Sequence, residues 1–160
     1  MKYNLFFILF FISSNTFAQV KSEWEHFEIV HPEHWKKEDC IFPIFKLVTY
    51  IKNGEKEDWL LMNIKEVNTK YMKNPTIDSV SKIILNRLEN NTHYEILENQ
   101  KTTPSIYFFE TFDKSQNLTE MTKIFQVGGK FYQALFYFES KAPMQYISEG
   151  RAIFNSIVIK

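Results

Sequence analysis

The strongest constraint on the fold is a run of four predicted strands that lie close together in the second half of the chain. They cover residues 94–101, 105–113, 119–127 and 130–139. In the last of them, KFYQALFYF, apolar side chains occupy both of the alternating faces that a β-strand presents. Gly128-Gly129 precedes it, and glycine adopts the positive φ angles that a tight hairpin needs. Strands that are apolar on both faces are typical of the middle of a sheet with cover on each side, so the pattern predicts an antiparallel sheet.

The first half of the chain adds three predicted strands. They cover residues 26–31, 41–52 and 59–67. Pro32 ends the first of them, because proline cannot donate to a sheet ladder. Asn53-Gly54 lies between the other two, and this dipeptide favours a hairpin turn.

Two amphipathic helices are predicted, at residues 75–91 and 144–156. The apolar stripe of the first consists of Ile77, Val80, Ile84 and Leu88, widened by Ile83 and Leu85. The second carries Ile147, Ile153 and Phe154, and a short apolar tail at 157–159 fits an edge strand. The order of elements predicts an α+β fold, an antiparallel sheet of about six to seven strands with helices on both faces.

The amino-terminal segment has the layout of a secretory signal peptide. Lys2 gives a positive start, residues 5–12 are an unbroken apolar core, and Thr16-Phe17-Ala18 supplies a cleavage site. A membrane anchor needs about 20 apolar residues, and this core has only eight. We therefore expect residues 1–18 to be removed after Ala18, and residues 19–160 to form one exported domain, periplasmic or secreted.

Charge and cysteine content exclude several classes of function. The full chain has 19 basic and 19 acidic residues, and removal of Lys2 with the signal leaves a charge near −1. A protein this close to neutral has no basic field for nucleic acid. Cys40 is the only cysteine, so no internal disulfide is possible, and its thiol is either unpaired or joined to another chain.

The segment FEIVHPEHW holds the residues that look most like chemistry. His31 and His34 flank Glu33, which raises the hypothesis of a metal site or an acid–base pair. Pro32 disfavours a helix through both histidines, so the preferred interpretation is a strand end with Trp35 packed on the core. Cys40 with a histidine is a second catalytic hypothesis, without a flanking signature. Neither G-x-S-x-G nor a phosphate-binding glycine loop occurs in the sequence, and no residue is assigned a catalytic, cofactor or metal role.

Three aromatic residues suggest a different kind of site. If Trp59, Phe131 or Tyr137 faced an uncovered part of the sheet, they would form an apolar cleft for a ligand or a partner segment. The preferred alternative is that they belong to the ordinary core, where aromatic side chains are commonly buried.

The mature sequence resembles the PsbP-like superfamily. The residues that carry the resemblance are Pro32 and Trp35 after the opening strand, the helix TIDSVSKIILNRLENN, the strand SIYFFETF, the Gly-Gly hairpin and the final FNSIVIK. This superfamily includes the extrinsic P subunit of photosystem II, a Ran-binding import factor and DcrB-type bacterial envelope proteins. The resemblance implies an α/β/α sandwich and a role in binding other proteins. It transfers no catalytic role to any residue.

These observations predict an exported, non-enzymatic binding or accessory protein of the bacterial cell envelope, with another envelope or secreted protein as its partner and no cofactor. A mature chain without a stable membrane span is part of this prediction. A carrier of a small apolar ligand is the first alternative. A hydrolase or metal enzyme built around His31, His34 or Cys40 is the second.

Overall fold

The computed structural model describes residues 19–24, 26–38, 44–53 and 56–160, and for residues 50–53 and 56–59 it describes the backbone alone. The predicted signal peptide, the predicted turn at Gly54, and Cys40 lie outside the described residues. The strands are β1 Gln19–Trp24, β2 Phe27–Pro32, β3 Lys36–Glu38, β4 Ile44–Asn53, β5 Lys56–Glu66, β6 Tyr94–Thr103, β7 Ile106–Asp113, β8 Leu118–Val127, β9 Lys130–Glu139 and β10 Val158–Ile159. The helices are α1 Ile77–Glu89 and α2 Met144–Asn155.

Seven strands form one antiparallel sheet in the order β3-β4-β5-β9-β8-β7-β6. The four segments predicted in the second half of the chain are confirmed as the consecutive strands β6 to β9. Gly128 and Gly129 join β8 to β9 with φ angles of 57° and 79°, as the hairpin prediction requires. β9 is apolar on both faces and lies in the middle of the sheet, between β5 and β8. The α+β class is confirmed.

A separate sheet of three strands, in the order β1-β2-β10, was not predicted. The opening strand, expected in the main sheet, lies here as β2 and pairs with β1 along its whole length. The tail at Val158–Ile159 also pairs with β2, and not with the main sheet. The position expected for the opening strand in the main sheet is taken by β3, three charged residues that pair with β4.

Helix α1 is fixed at its start by a capping box and along one side by a small apolar cluster. Thr76 accepts a hydrogen bond from the backbone of Ser79, and the Ser79 side chain accepts one from the backbone of Thr76. The cluster that holds the helix is Ile77, Val80 and Leu85 with Phe109, Ile124 and Phe131 of the sheet.

Helix α2 packs in a larger cluster together with the three-stranded sheet. Ile147, Ile153 and Phe154 of the helix share this cluster with Phe27 and Ile29 of β2. A bidentate ion pair between Arg151 and Glu110 adds a polar contact between α2 and β7, with N–O distances of 2.7 and 3.0 Å. The chain end, α2 and the opening strands therefore form one packed unit against the sheet.

Candidate functional site

The segment FEIVHPEHW ends a strand, as predicted, and its two histidines have different partners. β2 ends at Pro32. His31 is buried, and its Nδ1 donates to the Pro32 carbonyl at 3.0 Å while Nε2 lies 2.9 Å from the hydroxyl of Ser22. His34 Nε2 instead lies 2.8 Å from Glu149 Oε2 of α2. The side chains of this segment therefore join β1 and α2 to the chain between them.

Trp35 is packed on the core, in agreement with the preferred interpretation. Its side chain is 1% exposed and its ring lies against Phe136, with centroids 6.3 Å apart. The indole N–H of Trp35 points at Glu149 Oε2, at a distance of 3.4 Å. Glu149 Oε2 therefore accepts hydrogen bonds from both Trp35 and His34. Within the described ranges, no group of three His, Cys, Asp or Glu side chains is placed to hold a metal ion.

The structure describes the side chains of two of the three residues in the aromatic-cleft hypothesis. Phe131 is 1% exposed and is covered by α1 as part of the cluster described above. Tyr137 is half-buried and belongs to a polar cluster described below. The side chain of Trp59 lies outside the described residues, as Cys40 does. Phe131 follows the core interpretation, and Tyr137 has a polar partner that the sequence did not indicate.

A groove of about 630 Å³ runs between α1 and the segment that follows β5. We call it the α1 groove. Its apolar wall consists of Val67, Met72, Val80, Ile83 and Ile84. Its polar lining consists of Lys65, Glu66, Asn68, Tyr71, Arg87 and Gln133. Binding sites for small molecules commonly have volumes of about 300–1,000 Å³, apolar walls and a few convergent polar groups, so this groove is a candidate binding site.

The α1 side of the groove is formed by a stripe of side chains on the helix. The same helix also packs against the sheet. Val80, Ile83, Ile84 and Arg87 follow the spacing of three and four residues that places side chains on one face of a helix. Ile83 is 40% exposed, which is unusual for a large aliphatic side chain on a helix that faces a core. The widening of the apolar stripe by Ile83, visible in the sequence, was the signal for this face.

The opposite side of the groove is built from hydrogen-bonded turns. The Val67 N–H donates to the Phe131 carbonyl at 2.7 Å, which continues the pairing of β5 beside β9. Asn68 Oδ1 accepts from the Lys70 N–H at 3.0 Å, and the Met72 N–H donates to the Thr69 carbonyl at 2.9 Å. These bonds fix the backbone of the segment, while Val67 and Met72 pack against the cluster that holds α1.

The edge of the groove is aromatic and basic. Tyr71 is 89% exposed, and the Lys70 ammonium lies 5.9 Å from the centre of its ring. Lys65 and Arg87 contribute two cations to the lining, whereas Glu66 is held by Lys130 at 2.9 Å. The groove therefore presents an apolar wall with an excess of positive charge.

A cluster of buried polar groups lies beside the α1 contacts. Glu120, Thr122 and Ile124 alternate along β8, so all three side chains point to the face on which α1 packs. The Thr122 hydroxyl donates to Glu120 Oε1 at 2.9 Å. Burial raises the pKa of Glu120, while the hydrogen bond from Thr122, the charge of Lys65 and a bond from Tyr137 oppose the shift. Lys65 thus links this cluster to the α1 groove.

Tyr137 and its surroundings show the same effect of burial. The pKa of Tyr137 is raised by burial first and by the negative charge of Glu120 second, so its phenol is kept protonated as a donor. In the described part of the chain, three buried oxygens have no hydrogen-bond partner: Asn63 Oδ1, Ser81 Oγ and Thr111 Oγ1. The sequence did not indicate this cluster, because its aromatic strands are typical of an ordinary core.

Replacing Glu120 with glutamine is expected to change how stability depends on pH. A raised pKa means that the folded protein favours protonated Glu120, so its contribution to stability is present below its ordinary pKa of 4.5 and is lost as the pH rises through the raised value. Glu120→Gln is permanently neutral and avoids that loss. The difference in unfolding free energy, variant minus wild type, should therefore become more positive from acidic to neutral pH in urea titrations.

The control for this experiment is Glu89→Gln, which changes an exposed carboxylate at the end of α1. It should follow the wild-type pH profile. A Glu120→Gln profile parallel to that of the wild type would show that the folded protein does not favour protonated Glu120.

No protein-family profile matches the chain, and no curated protein matches it by sequence. Two solved structures share its architecture. The crystal structure of PA94, a Pseudomonas aeruginosa protein of unknown function, matches with a TM-score of 0.55 and 6% identity, covering 89% of this chain and 97% of PA94. The solution structure of cyanobacterial PsbP (CyanoP) from Synechocystis sp. PCC 6803 matches with a TM-score of 0.51 and 10% identity, covering 92% of this chain and 96% of CyanoP. The fold is PsbP-like.

The resemblance inferred from the sequence is confirmed at the level of the fold. At identities of 6% and 10%, these likenesses carry no residue assignment. Neither helix in the described ranges is long and apolar enough to cross a membrane. Function must be argued from the α1 groove and the polar cluster beside it.

Proposed function

We propose that this PsbP-like protein is an exported, non-enzymatic binding or accessory protein of the bacterial cell envelope, which engages another protein through the surface around the α1 groove. The observation that carries this proposal is the exposure of Tyr71 and Ile83 at the groove, 89% and 40% respectively. Aromatic and aliphatic residues that project at a concave surface are typical anchors of protein interfaces.

The chemistry of the groove supports binding over catalysis. Its described lining contains no serine, threonine, cysteine or histidine, the residues that form nucleophile–base pairs in most hydrolases. Two of the solved structures that share this architecture are a cyanobacterial PsbP and a protein of unknown function. Both observations favour an accessory role.

We also infer the α/β/α layering that the sequence predicts. Neighbouring residues on a strand point to opposite faces of a sheet. Phe108 packs against Phe154 of α2, with ring centroids 6.3 Å apart, whereas Phe109 belongs to the cluster that holds α1. This alternation supports helices on opposite faces, which leaves the groove side of α1 open to a partner.

A photocrosslinking experiment in the native cells tests the proposed function. A benzoylphenylalanine residue at Tyr71 is expected to capture a reproducible protein partner, identified by mass spectrometry, because position 71 is exposed at the groove. The crosslinked species should be in the envelope or secreted fraction, and its amino terminus should be Gln19. The matched control places the same residue at Leu97, which is 53% exposed on β6. Equal capture at both positions, or a cytoplasmic protein that retains residues 1–18, would contradict the proposal.

The volume of the α1 groove favours a second candidate function, a carrier of a small apolar ligand. About 630 Å³ is a normal size for a small-molecule site, and the wall is aliphatic. A protein partner would contact the edge of the groove around Tyr71, whereas a small ligand would lie along the wall. The two functions therefore make different use of the same surface.

A further inference from the structure

We infer that the ligand of the α1 groove is an aliphatic carboxylate, a molecule with one unbranched hydrocarbon chain and one anionic head. The inference rests on the carrier function proposed above and specifies the chemistry of what is carried. It is argued from the charge of the groove, from its wall and from its size.

Neither cation in the lining is held in an ion pair by another described residue, although the charge of Lys65 also acts on Glu120 of the neighbouring polar cluster. Within the described ranges, neither Lys65 nor Arg87 forms an ion pair, and both side chains belong to exposed residues. Glu66, the carboxylate among the described lining residues, is already engaged by Lys130 at 2.9 Å. The groove therefore offers Arg87, which has no charged partner among the described residues, and Lys65, whose charge is shared with Glu120, although the chain as a whole has equal numbers of basic and acidic residues.

The chemistry of these cations suits a carboxylate head. The guanidinium group of Arg87 can donate two parallel hydrogen bonds to the two oxygens of a carboxylate. Lys65 adds a point charge on the neighbouring strand β5. A neutral hydroxyl head could accept a hydrogen bond but would not offset either positive charge, and a cationic head would be repelled by both.

The wall of the groove suits a hydrocarbon chain. Val80, Ile83 and Ile84 line one side and Val67 and Met72 the other. A chain lying between them would cover the exposed part of Ile83 and remove apolar surface from water. The flexible thioether of Met72 can adjust to the chain, as methionine does in adaptable binding sites.

The size of the groove favours a small ligand over an acidic segment of a partner protein. Eleven described residues line it, whereas each side of a stable protein interface usually has about 20–30 residues. Its volume lies within the usual range of small-molecule sites. An acidic peptide is therefore an outcome that the experiment must distinguish, and not the expected ligand.

Three probes with the same ten-carbon chain test the inference. Decanoate, decanol and decyltrimethylammonium differ in the charge of the head, and each is titrated into the purified protein by calorimetry at neutral pH. Decanoate should bind about tenfold more tightly than decanol, with decyltrimethylammonium the weakest, because two exposed charge contacts together are worth roughly a factor of ten. High salt should reduce the preference for decanoate, since it screens exposed charges.

Two matched variants locate the site. Arg87→Gln removes a cation from the groove and should reduce the preference for decanoate over decanol severalfold while leaving decanol affinity unchanged. Lys82→Gln removes a cation from an exposed position of the same helix outside the groove lining and should leave all affinities unchanged. Circular dichroism of both variants verifies that α1 is intact.

Each other outcome overturns the inference in a distinct way. Equal affinity for decanoate and decanol, or equal effects of Arg87→Gln and Lys82→Gln, would keep a carrier of apolar ligands but exclude a carboxylate site at Arg87. No binding of any probe would exclude both the inference and the carrier function, and the crosslinking at Tyr71 would still decide the accessory function. An acidic peptide titrated in the same way would assign the groove to a protein partner if it bound, if Arg87→Gln weakened that binding, and if none of the three probes bound.

Discussion

Replacing Trp35 with alanine is expected to lower the unfolding free energy by about 4 kcal/mol, because large-to-small changes at buried aromatic residues leave a cavity as well as removing apolar contacts. Trp35 is 1% exposed and lies in the cluster that holds both Phe136 of the sheet and Ile29 of the small sheet. The substitution also removes the indole N–H that points at Glu149. Urea unfolding followed by far-ultraviolet circular dichroism measures the loss.

Trp35→Phe provides the control, because it keeps a buried ring and removes only the indole N–H and part of the volume. It is expected to lose about 1.5 kcal/mol, in the range of moderate changes of shape in a core. A loss below about 1 kcal/mol for Trp35→Ala would contradict the packing of this segment, since surface substitutions usually change stability by no more than 0.5 kcal/mol.

The importance of Trp35 could be predicted from the sequence, but the partners of its neighbour could not. Proline after an apolar strand, followed by tryptophan, predicted a strand end packed on the core, and the structure confirms this at β2. The contact of His34 with Glu149 joins residues 115 positions apart. A local pattern carries no information about such a pair, because it depends on where α2 lies on the finished sheet.

Strands were predictable where apolar alternation is strong and unpredictable where pairing alone defines them. β7 to β9 are rich in apolar residues, and the bounds of β6 to β9 were predicted to within two residues. β1 is mostly polar and exposed, and β3 is Lys-Lys-Glu, so neither carries an apolar signal. These strands exist because β2 and β4 offer them free edges, which is a tertiary effect.

The α1 groove was only partly visible in the sequence. Ile83 lies outside the stripe that packs on the sheet, which indicated a broad apolar surface on α1. The sequence could not show whether that surface would be buried, because the answer depends on where the segment after β5, with Val67 and Met72, packs beside the helix.

The polar cluster was missed for a related reason. Glu120 and Thr122 interrupt the apolar pattern of β8 on the face where α1 packs. In one sequence, polar residues on alternate positions of a strand indicate a solvated face as readily as a buried cluster. Only the register of β8 with β9, which places Glu120 opposite Tyr137, distinguishes the two.

Gly150 decides how closely α2 approaches the sheet. It is a buried residue in the middle of the helix, where glycine is usually about 1 kcal/mol worse than alanine. A Cβ atom built at this position would overlap the ring of Phe136, which is fully buried in the core. The glycine therefore allows a contact between helix and sheet that any side chain would block.

Gly150→Ala is accordingly expected to lower the unfolding free energy by about 2 kcal/mol, because the strain of overpacking exceeds the gain in helix propensity. The sign of the change in unfolding free energy is the test. If there were space for a Cβ atom at position 150, alanine would stabilise the protein by about 1 kcal/mol. Ser148→Ala, at an exposed position of the same helix, is the control and should change stability by no more than about 0.5 kcal/mol. In the double variant Gly150→Ala/Phe136→Leu, the smaller side chain at position 136 relieves the overlap. The double variant should therefore lose less unfolding free energy than the sum of the losses of the two single variants, by at least about 1 kcal/mol. Additive losses, or a stabilised Gly150→Ala protein, would show that α2 does not rest on Phe136.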